Sequence, residues 1–179
     1  MRNQENSQIT LKGNEMIEFE NFKWKSTEVK DLDYVIELEK EGYPYVIKWS
    51  KDKHKEAIHN NDIKHFLLWE EYEKIGYCIL AGFEKGNDNI EIKRIVVGEK
   101  NRGVGRKSLQ ALLKYLFEKK EIHRVWLDYY EFNEVGAYLY ESMGFKKDGV
   151  LRESLKFEEK YYDVVVLSML KKEYFDNFK

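Results

Sequence analysis

The decapeptide EKNRGVGRKS, residues 99–108, sets Gly103 and Gly105 two positions apart among basic side chains. Before it runs IEIKRIVV (90–97), branched and apolar enough for a strand. After it, Leu109, Leu112, Leu113, Leu116 and Phe117 fall at i, i+3, i+4, i+7 and i+8, one apolar helix face. Strand, glycine turn and helix start together suit an anion. The first helical amides have no internal partner, the helix dipole is positive there, and glycine admits close backbone approach.

Working outward, IEFENFKWKST (17–27) reads as one strand with an irregularity near Asn21. KDLDYVIELEKEGY (30–43) has helical spacing and stops at Gly42 and Pro44. A short polar helix is expected over 50–62. IKHFLLWEE (63–71) and KIGYCILAGFE (74–84) then form a meander with 90–97, across the turn cluster GNDN (86–89). RVWLDYYE (124–131) is a strand. Asn133 caps a short helix that Gly144 closes. Residues 145–170 read as two strands around a charged hairpin, and KKEYFDNFK (171–179) as a tail. The order predicts one mixed α/β domain over 16–179, following a polar N-terminal tail at 1–15. Its unit from 90–97 through the long helix to 124–130 is a parallel crossover.

The 179 residues are 42% hydrophobic and 15% aromatic, which is a globular composition. The charged fraction is high, but the net charge of −2 argues against a nucleic-acid binder. No 18-residue apolar run exists to span a membrane, and the N-terminal segment lacks the apolar centre of a signal peptide. The single Cys78 precludes an intrachain disulfide and suits a reducing compartment, so a cytoplasmic protein is expected. His54, His59, His65 and His123 show no metal-ligand spacing with Cys78 or each other, so no metal is expected. Cys78 reads as a core residue, as do most of the aromatics Phe22, Trp24, Tyr43, Tyr45 and Trp49; a few of these are available to line a pocket.

The glycine loop is not a P-loop. Gly98 and Gly103 have the spacing, but Val104 and Gly105 stand where the Lys and Ser/Thr belong. As a dinucleotide fingerprint it lacks the third glycine, replaced by Ser108. Lys100-Asn101-Arg102-Gly103-Val104-Gly105 instead resembles the acetyl-CoA loop, Gln/Arg-x-x-Gly-x-Gly/Ala, of the GNAT superfamily of N-acetyltransferases, with Lys100 departing at the first position. NEVGAYLYESMGF (133–145) is similar to the same superfamily's Asn-x-x-Ala-x-x-Leu-Tyr-x-x-x-Gly-Phe segment, with Gly136 in place of Ala. The closing strands resemble the branch that acetylates protein N-termini, polyamines and small amines.

The resemblance implies a GNAT-like domain: a mixed, mostly antiparallel sheet with helices on both faces and one parallel crossover. It implies acetyl-CoA as cosubstrate and direct attack by a small-molecule or peptide amine; a homodimer is admitted. It places the pyrophosphate on the amides from Arg102 to Lys107 (Arg102, Gly103, Val104, Gly105, Arg106, Lys107), with charge from Arg102, Arg106 and Lys107. It places the pantetheine along Ile95, Val96 and Val97, with Asn133 nearby. It puts Tyr140 in the position of the acid that protonates the leaving thiolate. An alkylammonium is mostly protonated at neutral pH, so the attack needs a base, and Glu91 on the strand before the loop is the expected one. An acyl-CoA sensor without catalysis, built on the same fold, is the alternative.

Overall fold

The computed structural model describes residues 15–98 and 103–178. Eight strands form one sheet in the order β1-β2-β3-β4-β5-β6-β8-β7. β1 (Met16–Phe19), β2 (Phe22–Ser26), β3 (Ile63–Glu70), β4 (Glu73–Ala81) and β5 (Asn89–Val97) run as an antiparallel meander. β6 (Arg124–Tyr130) lies parallel to β5, and β8 (Lys160–Leu170) pairs antiparallel with β6 and with β7 (Lys146–Phe157). The strand expected over 17–27 is two strands, because Glu20 adopts φ 48° and turns the chain back at Asn21. The segment expected to be a tail is helix α5 (Lys171–Asn177), which buries Tyr174 against Phe117.

Two apolar layers sandwich the sheet. On one face, α1 (Leu32–Glu41) and α2 (Lys51–His59) cover Leu67, Tyr77, Ile79 and Val96. On the other, α3 (Val104–Lys114) with its widened final turn Tyr115–Lys119 packs Leu109, Leu112, Leu116 and Phe117 onto Cys78, Leu80, Ile90, Ile92 and Leu127. These α3 residues are the apolar face read from the helical spacing. α4 (Glu134–Ser142) lies on the same side, contributing half-buried Leu139 and Tyr140. None of the helices among the described residues is long and apolar enough to cross a membrane.

Two irregularities in β5 position the site. β5 is paired with β4 as far as Val97↔Gly76, but with β6 only over Asn89–Glu91, opposite Arg124–Trp126. Beyond that point the two parallel strands part. Lys93 is also an extra residue, a bulge between Ile92↔Leu80 and Arg94↔Ile79. The bulge resets the side-chain alternation. Ile90 and Ile92 face α3, and after the bulge Arg94 and Val96 face α1 and α2.

Candidate functional site

The gap between Ile92–Val97 of β5 and Leu127–Tyr130 of β6 has a different chemistry on each side of the sheet. Glu91 and Trp126 are paired neighbours, so they share a face, opposite to Ile90, Val125 and Leu127 of the α3 core. Alternation puts Asp128 and Tyr130 on that same α1/α2 face. Glu91 is ion-paired to Lys93, with Nζ 2.9 and 3.1 Å from its two oxygens. Asp128 is exposed at the cleft, yet enough protein crowds its carboxyl that burial raises it. Glu91's charge raises it further, against the pull of Lys93 and Arg94.

On the α3 face, Tyr140 packs its ring against Tyr129 at 6.2 Å and Phe145 at 6.2 Å. Burial, with a smaller contribution from Asp128's charge, pushes its phenol up to about 12. At neutral pH Tyr140 therefore holds its proton. Asp128 was not singled out in the sequence; it lies two residues beyond the last β6 residue to pair with β5, a position visible only once the register is known.

The far end of the gap meets the start of α3. Gly103 is the N-cap residue, in the left-handed region at φ 71°, and Lys107 N–H donates to its carbonyl at 3.2 Å. The amides ahead of Lys107 in that turn have no helical acceptor. Two of the basic side chains read as phosphate ligands are engaged elsewhere. Arg106 donates from Nη1 to the Ser142 carbonyl at 3.4 Å and from Nη2 to Ser142 Oγ, clasping α3 to α4. Lys107 Nζ lies 2.7 Å from Glu20 Oε2. Among the described residues, the amides of this turn, rather than the Arg106 and Lys107 side chains, are thus the groups without an assigned partner. Arg102 and Lys100 lie outside the described residues. Ile95, Val96 and Val97 line the parted edge of β5. Asn133 caps α4, Oδ1 accepting from Gly136 N–H at 3.0 Å. A Cβ at 136 would lie 2.7 Å from Asn133 Nδ2, so glycine there lets the asparagine fold back onto its helix.

A strap crosses the gap on the carboxylate side. The α1–α2 connection, residues 42–50, is tied to β5 where Arg94 Nη2 donates to the Ile47 carbonyl at 2.7 Å. Beyond β6 it meets Phe132 through Tyr45 (6.2 Å) and Phe157 through Tyr43 (5.5 Å). Tyr43 also donates a hydrogen bond to Glu158 at 2.9 Å. Glu158 and Glu159 form the β7–β8 turn with φ 46° and 60°, a conformation that glycine or asparagine fills at lower cost. Tyr43 and Tyr45 are exposed, whereas Phe22 and Trp24 are core residues. A separate groove of about 840 Å³, lined by Thr27, Glu28, Lys64 and His65 among others, opens beside β2, β3 and α2 and contains none of the residues of the gap. Among the described residues, no three His, Cys, Asp or Glu side chains cluster as metal ligands.

Comparison with known proteins bears on the family and on the fold. The family model for the acetyltransferase (GNAT) family matches residues 27–145. The spermidine N(1)-acetyltransferase of Vibrio cholerae serotype O1 is 28% identical over 120 residues, which are 65% of this chain and 69% of that protein. The crystal structure of spermidine N-acetyltransferase from Vibrio cholerae in complex with CoA and spermine superposes with a TM-score of 0.77 at 23% identity, covering 87% of this chain and 98% of that one. A probable acetyltransferase (GNAT family) from Chromobacterium violaceum has a TM-score of 0.73 at 18% identity, covering 89% and 92%. At these identities the superpositions establish the fold.

Proposed function

The chain belongs to the acetyltransferase (GNAT) family and is an acetyl-CoA-dependent N-acetyltransferase, and from that premise we propose that its acceptor is a primary amine of a linear polyamine, attacked within the β5–β6 gap. The observation that carries the reading is the parting of β5 and β6 after Glu91 and Trp126, with carboxylates on one side of the opening and a protonated phenol on the other.

In this reading the pantetheine arm lies in the gap and pairs with the free edge of β5 at Ile95–Val97, as an added strand would. The pyrophosphate rests on the open amides of Gly103–Arg106 at the start of α3. Arg102 remains assigned to the same anion. The thioester then has Tyr140 on the α3 side and the carboxylates on the other. The amine nitrogen attacks the carbonyl carbon; the N–C bond forms and the C–S bond breaks. Tyr140 donates its proton to the departing thiolate. The ammonium proton goes to the carboxylate pair. Asp128, raised by burial and by Glu91's charge, is the member assigned to accept it, and Glu91 supplies charge that draws in the cationic acceptor. The relatives that act on spermidine support the polyamine as acceptor.

Thiol release from acetyl-CoA with spermidine, a basic amino acid and a short peptide, followed by mass analysis of the products, tests the reading. Acetylated spermidine with a turnover well above that of the other amines is expected. Preferential acetylation of the peptide N-terminus would overturn the polyamine assignment.

A further inference from the structure

None of the bond-making and proton-transfer steps touches a buried polar cluster centred on Glu39 of α1, whose side chain is 1% exposed. Tyr77 O–H of β4 donates to its Oε1 at 2.5 Å, and the Trp49 N–H of the strap donates to Oε2 at 2.8 Å. Arg94 Nη1 of β5 reaches Oε1 at 3.3 Å. His54 Nε2 of α2 stands 3.3 Å from the same oxygen, without hydrogen-bond alignment. Burial alone would raise this carboxyl. His54, Tyr77, the Trp49 amide and Arg94 together hold it below the usual range. Behind His54, its Nδ1 lies 3.1 Å from His65 Nε2, and His65 Nδ1 lies 2.8 Å from Thr27 Oγ1. Burial, and then His54, push His65 down to about 3, so it is neutral. Arg94 is the cation that answers Glu39, and its guanidinium also lies 4.5 Å from the Trp49 ring centre.

A buried ion pair is a poor route to stability, since apolar replacements of similar volume are often neutral or stabilising. This pair does something that apolar residues cannot. It anchors two backbone groups of the strap, the Ile47 carbonyl and the Trp49 N–H, to α1 and β5. The bulge at Lys93 turns Arg94 toward that strap. We propose that Glu39 and Arg94 are positioning residues for the acceptor, fixing the strap over the β5–β6 gap so that the amine approaches in line with the thioester. The inference rests on the reading that this gap is the site of acetyl transfer.

The test is the double variant Glu39→Met with Arg94→Met, which removes both charges and keeps side-chain volume. Three results are expected. Melting stays near the parent temperature, and acetyl-CoA affinity by calorimetry is unchanged. KM for spermidine rises 10-fold or more with a smaller change in kcat, and the Trp49 amide loses hydrogen-exchange protection. A folded double variant with parent-like spermidine KM overturns the inference, as does an equal loss of acetyl-CoA affinity. Should the double variant fail to fold, Arg94→Lys decides. It keeps the charge but cannot hold Glu39 and Ile47 together, so a several-fold rise in spermidine KM is expected and an unchanged KM overturns the inference. Absence of amine turnover in the unmodified protein would instead overturn the acetyl-transfer reading, and this inference with it.

Discussion

Glu91 and Trp126 are the last two residues that join β5 to β6. β5 remains paired to β4 through Val97 and β6 remains paired to β8 through Tyr130, so beyond Glu91 and Trp126 each strand keeps only its outer neighbour. The opening is therefore built into the register of the sheet. Three elements converge on it: the start of α3, the α4 tyrosine, and the 42–50 strap.

Tyr140→Phe keeps the ring against Tyr129 and Phe145 and removes only the proton. General acid catalysis contributes typically ~10²–10⁴-fold. A fall in kcat of about 10²-fold or more is expected, with acetyl-CoA affinity unchanged by calorimetry. Near-normal turnover would assign the thiolate's proton to water or to another residue.

Gly103 has φ 71°, and among the described residues nothing lies within 4 Å of a Cβ built there. The cost of a side chain is therefore conformational: about 1–2 kcal/mol for Gly103→Ala, more for branched Val. Gly103→Asn, which tolerates this region, should recover most of the melting temperature. Acetyl-CoA affinity should stay reduced in all three, because each places atoms beside the amides of the helix start. Parent-like affinity in the Asn variant would remove this turn from the site.

Glu15 contacts Lys64, Lys120 and Tyr115, joining the start of β1 to β3 and α3. Burial opposes ionisation, but those three partners lower the carboxyl to about 2 from 4.5. The folded value is depressed, so the stabilisation is complete above the unfolded value near 4.5 and disappears as pH falls toward 2. Glu15→Gln should cost roughly 1–2 kcal/mol at pH 7, after allowance for partial solvent exposure. Melting curves of parent and variant should converge by about pH 2–3.

Much of this was readable in the sequence. The periodicity of Leu109 to Phe117 defines the face of α3 that is buried, and Gly103 does mark the helix start. The two matched motifs specified the family. What the residues could not disclose is long-range. The bulge at Lys93 is invisible in IEIKRIVV, whose plain alternation would have sent Arg94 into the α3 core. Arg106 and Lys107 look like free cations in one dimension, but Ser142 and Glu20 reach them from elsewhere in the chain. Residues 171–177 are charged enough to pass for a tail, and only Tyr174's burial reveals a docked helix.

The division of labour between Glu91 and Asp128 can be read from pH–rate profiles. Asp128 is raised, first by burial and then by Glu91's charge. If Asp128 takes the ammonium proton, activity falls on the acid side as Asp128 protonates. Glu91→Gln then removes a negative neighbour, lowers Asp128, and moves that acid limb to lower pH while the plateau rate stays within about 10-fold of the parent. Asp128→Asn should abolish the limb, cut the neutral-pH rate by about 10²-fold or more, and recover partly near pH 9, where more of the amine is already neutral. Stability provides an independent sign. A carboxylate raised by folding works against the fold once pH exceeds its unfolded value, so Asp128→Asn should melt no lower than the parent at pH 7, with any gain vanishing in acid. The opposite pattern, with the limb lost in Glu91→Gln and retained in Asp128→Asn, would make Glu91 the base and leave Asp128 as the residue that draws the cationic acceptor into the gap.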